Sequence, residues 1–271
     1  MPDHEEATLM SGIWLTRGLR QGTVTSRWPK RPDGYFSSFA GSVLPVGGVA
    51  AHETDDVARI CPVAAIDVTA GLAVDHGACI MCGRCVRQRP DLFAWRPGSD
   101  TARRDRRLLV ADQGDDPDPG TVRADLAERV RALRRSVHIR HVDAGSDGSD
   151  EWEVRALLNP IYDVQRLGIF FTASPRHADI LLVTGIGSRE MIPPLRRTRA
   201  AMPDPVVVIA TGAEAISGGL TGPGLGAARL LDVDVFVPGA PASPFALLHG
   251  ILLALDRLPT PDQLPAVERP S

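Results

Sequence analysis

Residues 78–85 read ACIMCGRC, and the organisation of the first third of the chain follows from what those cysteines require. Cys79, Cys82 and Cys85 are spaced C-x-x-C-x-x-C, and the only other cysteine of the 271 residues stands upstream in Cys61-Pro62. Three close thiolates can wrap one side of a cubane iron-sulfur cluster while a distant fourth closes the other. Gly83 lets the backbone approach the sulfur atoms. Residues 49–98 form a short segment punctuated by Gly and Pro, too small for a large apolar core, so a cofactor would take the core's place. On spacing alone two other readings stay open: a four-cysteine zinc site, which usually draws on paired C-x-x-C units, and unligated thiols.

The segment also carries a degenerate internal repeat. A shift of 28 residues aligns Ala51, Thr54, Val57 and Cys61 with Cys79, Cys82, Cys85 and Arg89, and Pro62 with Pro90. This resembles a bacterial two-cluster ferredoxin, whose repeated C-x-x-C-x-x-C-x-x-x-C-P runs exchange their fourth cysteines. The resemblance implies that Cys61 joins Cys79, Cys82 and Cys85 around one [4Fe-4S] cluster. The positions of the other cluster have become Ala51, Thr54, Val57 and Arg89.

Working outward, residues 1–48 hold one short amphipathic stretch (Leu9, Met10, Ile13, Trp14, Leu19) and then Gly, Pro and Ser punctuation, the pattern of an extended arm. Such an arm is either a flexible leader or a tail that docks on a partner. Its acidic start and short apolar run lack the features of a secretory signal, so a cytoplasmic protein is expected. Four cysteines in that setting point to metal or redox chemistry more than to disulfides. No apolar run approaches the ~20 residues that span a bilayer. With a net charge of −3 and dispersed basic residues, nothing suggests nucleic acid as a partner.

Residues 99–135 read as a linker, containing GDDPDPG, followed by a helix that Thr121 can cap and that presents Leu126, Val130 and Leu133. From residue 136 to 258 apolar runs alternate with helical stretches. Residues 137–142, 167–172, 180–184, 206–210 and 233–237 are short, rich in β-branched residues and bounded by turn residues, as strands are. Residues 189–202 and 244–258 read as amphipathic helices. Alternating strands and helices predict an open, mostly parallel α/β domain of flavodoxin-like kind, and residues 259–271 are left as a tail. His138 and His141 are three apart on a strand and do not share a face. Arg176 and His177 read as structural, opening the next strand. The glycine-rich stretch after Gly219 has neither a Rossmann fingerprint nor a Walker lysine.

The stretches RSVHIRHVDAGS, LLNPIYDVQRLGI, SPRHADILLVTG, MIPPLRRTRAAMPDPVVVIATG and DVFVPGAPASPFALLHGILLAL occur in order. Together they resemble the small subunit of energy-converting [NiFe] hydrogenases and the homologous 20-kDa subunit of complex I. Residues 10–96, with the arm GTVTSRWP ahead of the cysteines, resemble the ferredoxin-like subunit of the same complexes. The chain therefore resembles a fusion of the two. The family's small subunit holds its own [4Fe-4S] cluster, but the matching positions here are Asp147, Asp150, Glu214 and Ala240, so all four thiolates are absent. Carboxylates prefer harder cations than an iron-sulfur cluster, and alanine ligates nothing. An empty inherited site follows. A Mg²⁺ or Ca²⁺ site at Asp147, Asp150 and Glu214 is one alternative; a pocket opened to water, or arginines paired with the acids, is the other.

The resemblance implies an electron-transfer subunit with no catalytic residues of its own. Its partners would be a hydrogenase or complex I-type large-subunit homologue and membrane subunits, holding it at the cytoplasmic face of the membrane. The competing reading is a redox-silent structural or coupling adaptor of the same kind of complex.

Overall fold

A computed structural model of the protein describes residues 14–112, 124–131, 133 and 136–258. The readings that fall on residues 1–13, on GDDPDPG, on Thr121 and on residues 259–271 lie outside the described residues.

The cysteine-bearing region repeats one motif. After helix α1 (residues 14–21) and α2 (Gly34–Ser38) come β1 (Ala40–Pro45), α3 (Thr54–Arg59) and β2 (Ile66–Asp67), then β3 (Ala73–Asp75), α4 (Arg84–Gln88) and β4 (Phe93–Pro97). Strand, helix and strand thus occur twice. The first strand of one half pairs antiparallel with the last of the other, β1 with β4, while β2 pairs with β3. Val43, Val57, Ile66, Leu72, Val74, Leu92 and Phe93 form the core between the sheets, and Cys61 and Cys85 pack against it. Residues 40–45, assigned to the arm by their glycine and proline, are therefore an integral strand. Part of the expected linker likewise continues a sheet, since β5 (Val110–Ala111) pairs with β3.

The described part of the arm docks on the chain itself. Trp28 stacks on Phe36 at 4.9 Å, and Trp28, Phe36, Phe39 and Tyr162 all meet the Phe245 ring edge-on. Edge-to-face contacts of this kind each add to the area buried.

The second region begins with α5 (Ala124–Arg131), followed by β6 (Val137–Asp143), α6 (Ser149–Ala156), β7 (Ile169–Phe171) and β8 (Ile180–Thr184). Next come α7 (Ile192–Ala200), β9 (Val207–Thr211), α8 (Gly212–Ser217), β10 (Val235–Val237) and α9 (Pro244–Ala254). The five strands form one parallel sheet in the order β7-β6-β8-β9-β10, the flavodoxin-like arrangement. Ile139 lies opposite Ile180, Ile180 opposite Val207, and Leu182 opposite Ile209. This continuous apolar lattice is what a sheet covered on both faces needs.

Helix boundaries moved for identifiable reasons. The strand expected at 167–172 starts only at Ile169, because Val164–Leu167 form a 3₁₀ turn ended by Gly168 at φ 73°. The helix expected at 189–202 begins at Ile192, with prolines in its first turn where their missing N–H groups cost nothing. Helix α9 is not amphipathic: every residue from Pro244 to Ala254 is buried. It lies between the sheet and the docked arm, so no face of it meets water.

Candidate functional site

Cys61 follows the end of α3, Cys79 and Cys82 lie in the loop from β3 to α4, and Cys85 is in the first turn of α4. The four line a common pocket whose walls are Val43, Ile60, Pro62, Ala65, Ile66, Val74 and Ile80. The loop reaches it through two left-handed residues, Met81 at φ 56° and Gly83 at φ 64°. A side chain on Gly83 would meet the Trp95 ring at 2.8 Å, so glycine serves both the turn and the close approach. The Ala65 N–H donates to Cys61 Sγ at 3.2 Å. Burial first, and then the neighbouring thiols, push Cys79 up to about 12, against the opposing Met81 N–H. Burial raises Cys85 as well. Cations in the pocket would oppose this penalty and favour the thiolates. Among the described residues no three His, Cys, Asp or Glu side chains converge closely enough to grip a single metal ion.

Asp147, Asp150, Glu214 and Ala240 also come together, across more than ninety residues of sequence. They line a second cavity of about 220 Å³ with Ser149, Ala213, Gly219, Leu220 and Thr221. It sits at the carboxyl ends of the parallel strands, where open α/β sheets place their ligands. Its remaining wall is Ile80, the residue after Cys79, so the two sites abut.

Each of the three acids is engaged by its own hydrogen-bond donors. Asp147 Oδ1 accepts from the Ser149 hydroxyl at 2.6 Å and its amide at 2.9 Å, which holds its carboxyl below the usual range. Glu214 accepts from the Asp147 amide at 3.0 Å and the Thr221 hydroxyl at 2.8 Å. Asp150, only 2% exposed, accepts from the Ala242 amide at 3.0 Å. Burial lifts its carboxyl to about 7, and Glu151, Glu214 and Asp147 add to the rise. None of the three forms an ion pair among the described residues. Among the described residues no group of three His, Cys, Asp or Glu side chains is placed to hold the Mg²⁺ or Ca²⁺ ion considered from sequence.

Sequence reasoning missed the support beneath this cavity. Glu151 accepts from Ser146 Oγ at 2.6 Å and from the Thr184 hydroxyl, and His141 Nε2 lies 3.0 Å from Thr184 Oγ1. Gly212 is indispensable because a Cβ there would lie 1.9 Å from Asp150 Oδ2. A glycine directly after an apolar strand was the available signal for such a close approach.

The family model for the 20-kDa subunit of NADH ubiquinone oxidoreductase matches residues 148–254. A probable membrane-bound hydrogenase subunit of Pyrococcus furiosus is 41% identical over 137 residues, which cover 49% of this chain and 82% of that protein. Formate hydrogenlyase subunit 7 of Escherichia coli is 38% identical over 150 residues, 52% of this chain and 59% of the relative. An NADH-quinone oxidoreductase subunit of Rhizobium etli is 41% identical over 100 residues, 36% and 60% respectively. The chain thus spans about three fifths of these last two relatives. A chain of the archaeal membrane-bound sulfane sulfur reductase is 28% identical, with 48% of this chain and 73% of that chain covered and a TM-score of 0.42.

Proposed function

The chain belongs to the family of the 20-kDa subunit of NADH ubiquinone oxidoreductase, and from that premise we propose that it is an electron-transfer subunit of a membrane-associated hydrogenase-like or complex I-like assembly. In this reading Cys61, Cys79, Cys82 and Cys85 hold one [4Fe-4S] cluster in a ferredoxin-like module fused to the family domain. The domain's own cluster position is vacated at Asp147, Asp150, Glu214 and Ala240. The single observation that carries the reading is that four cysteines from two halves of a repeated motif line one apolar pocket. A cube holds its thiolates farther apart than a tetrahedral zinc ion, whose sulfur atoms sit roughly 3.8 Å from one another at a metal–sulfur distance of about 2.3 Å. Side chains that do not meet at single-ion range are therefore compatible with the cube.

When bound, the cluster supplies a one-electron carrier. The chain's residues exclude water with Val43, Ile66, Val74 and Ile80. They offer backbone N–H groups to sulfur at Ala65, Met81 and Val86, and such donors favour the more negative, reduced state. No described helix is long and apolar enough to cross a membrane, so membrane attachment in this reading runs through partner subunits at the cytoplasmic face.

Anaerobically purified protein should contain about four iron and four acid-labile sulfide per chain, and Cys82→Ser should lose most of both. Iron-free protein, or zinc without sulfide, overturns the reading. A redox titration followed by EPR in the assembled complex decides between electron carrier and adaptor: a signal that exchanges electrons with other centres supports the carrier.

A further inference from the structure

A third cavity, of about 320 Å³, lies at the seam between the cysteine-bearing region and the parallel sheet, and the proposed function makes no use of it. Phe39, Met81 and Trp95 line it from one side, Glu153, Pro241 and Ala246 from the other. The Glu153 carboxylate, on α6, has no hydrogen bond or ion pair among the described residues. Burial alone pushes its carboxyl up, with no cation opposing the shift. Thr101 lines the same cavity, and its buried hydroxyl has no hydrogen-bond partner among the described residues.

A carboxylate partly shielded from water with no cation beside it carries some desolvation cost, and the buried Thr101 hydroxyl without a partner calls for a reason. The walls limit what can satisfy it. An anion would be repelled by Glu153, and a neutral apolar molecule would strip water from the carboxylate and return nothing. A compact ammonium ion is also drawn to an aromatic face, but it is more strongly hydrated and has no planar fork with which to pair the carboxylate and stack on the ring. A planar, weakly hydrated guanidinium can reach the carboxylate with a pair of N–H donors, lie against Trp95, and bury its stem on Phe39, Met81 and Pro241.

We infer that this cleft is a receptor for a guanidinium group on an apolar stem, supplied by an arginine side chain of a partner protein. The volume is at the lower edge of the ~300–1,000 Å³ usual for free small ligands and suits one inserted side chain. The chain's net charge of −3 complements a basic partner. The partner half of this inference rests on the chain being a complex subunit, whereas the chemistry of the cleft does not depend on the cluster.

The test uses the purified full-length chain and N-butylguanidinium, with binding followed by calorimetry and by Trp95 fluorescence against a Trp95→Phe control. Saturable binding in the millimolar range is expected, weakened at least roughly tenfold in Glu153→Gln and undetectable for neutral N-butylurea. Gln preserves the side-chain shape, and circular dichroism checks that the variant is folded. In the assembled complex the probe should be shut out, because the arginine already fills the cleft. Equal binding of the urea, unchanged affinity in Glu153→Gln, or undiminished binding to the complex overturns the inference. Iron analysis is unaffected by any of these results, so failure here and failure of the cluster reading are distinguishable.

Discussion

Replacing Asp150 with Asn should make the protein more stable at pH 8 and leave it nearly unchanged at pH 4. In the fold this carboxyl titrates near 7, against an ordinary value of 3.8, so folding favours its protonated form. A group raised in this way contributes its full stabilisation only below the unfolded value; between about pH 4 and pH 7 that contribution drains away, and above pH 7 the penalty is constant. About three pKa units at 1.36 kcal/mol each give an upper limit of roughly 4 kcal/mol. Asp150 is 2% exposed, so solvent screening takes little from this figure. Asparagine keeps an oxygen for the Ala242 amide and turns N–H donors toward the surrounding acids, removing the charge without emptying the site. Urea unfolding of anaerobic protein at pH 5, 6, 7 and 8 measures the effect, and exchange protection of the Ala242 amide reports it locally. A difference between Asp150→Asn and the parent that does not grow with pH, or a variant less stable at pH 8, refutes the argument.

Three further outcomes follow from the packing. Gly212→Ala should cost at least about 2 kcal/mol, because its Cβ collides with Asp150 Oδ2 and its φ is 84°; thermal unfolding measures it. Phe245→Ala removes the ring on which Trp28, Phe36, Phe39 and Tyr162 converge. A loss of about 3–5 kcal/mol is expected, and earlier proteolysis within residues 22–39 would show the arm released. Arg129→Met strips the 2.5 Å ion pair from Asp234, whose side chain is 1% exposed, and should destabilise by about 3–5 kcal/mol. Adding Asp234→Asn should recover part of that loss, since Val208 N–H still has an acceptor.

The four cysteines could be singled out from sequence because their spacing is covalent and short, and because the repeat places Cys61 in register with the second run. The parallel sheet was equally legible, since strands buried on both faces must be continuous apolar runs, as Ile180–Thr184 and Val207–Thr211 are. Strand β1 was not, because GSVLP has the composition of a turn and becomes a strand only by pairing with Phe93–Pro97. Helix α6 was not among the helices expected, since its eight residues, SDEWEVRA, carry only a weak apolar period.

What only the tertiary structure decided is electrostatic. Asp150 is an ordinary carboxyl in sequence; burial at the carboxyl edge of the sheet lifts it to about 7 against the opposing Ala242 N–H, and Glu214, brought from far along the chain, adds to the rise. Glu153 resembles any helical glutamate until Trp95 and Pro241 enclose it without a cation. Spacing along a chain records which groups can meet one ligand. The energy of a charge depends on every group facing it, and those faces exist only once the two regions have packed.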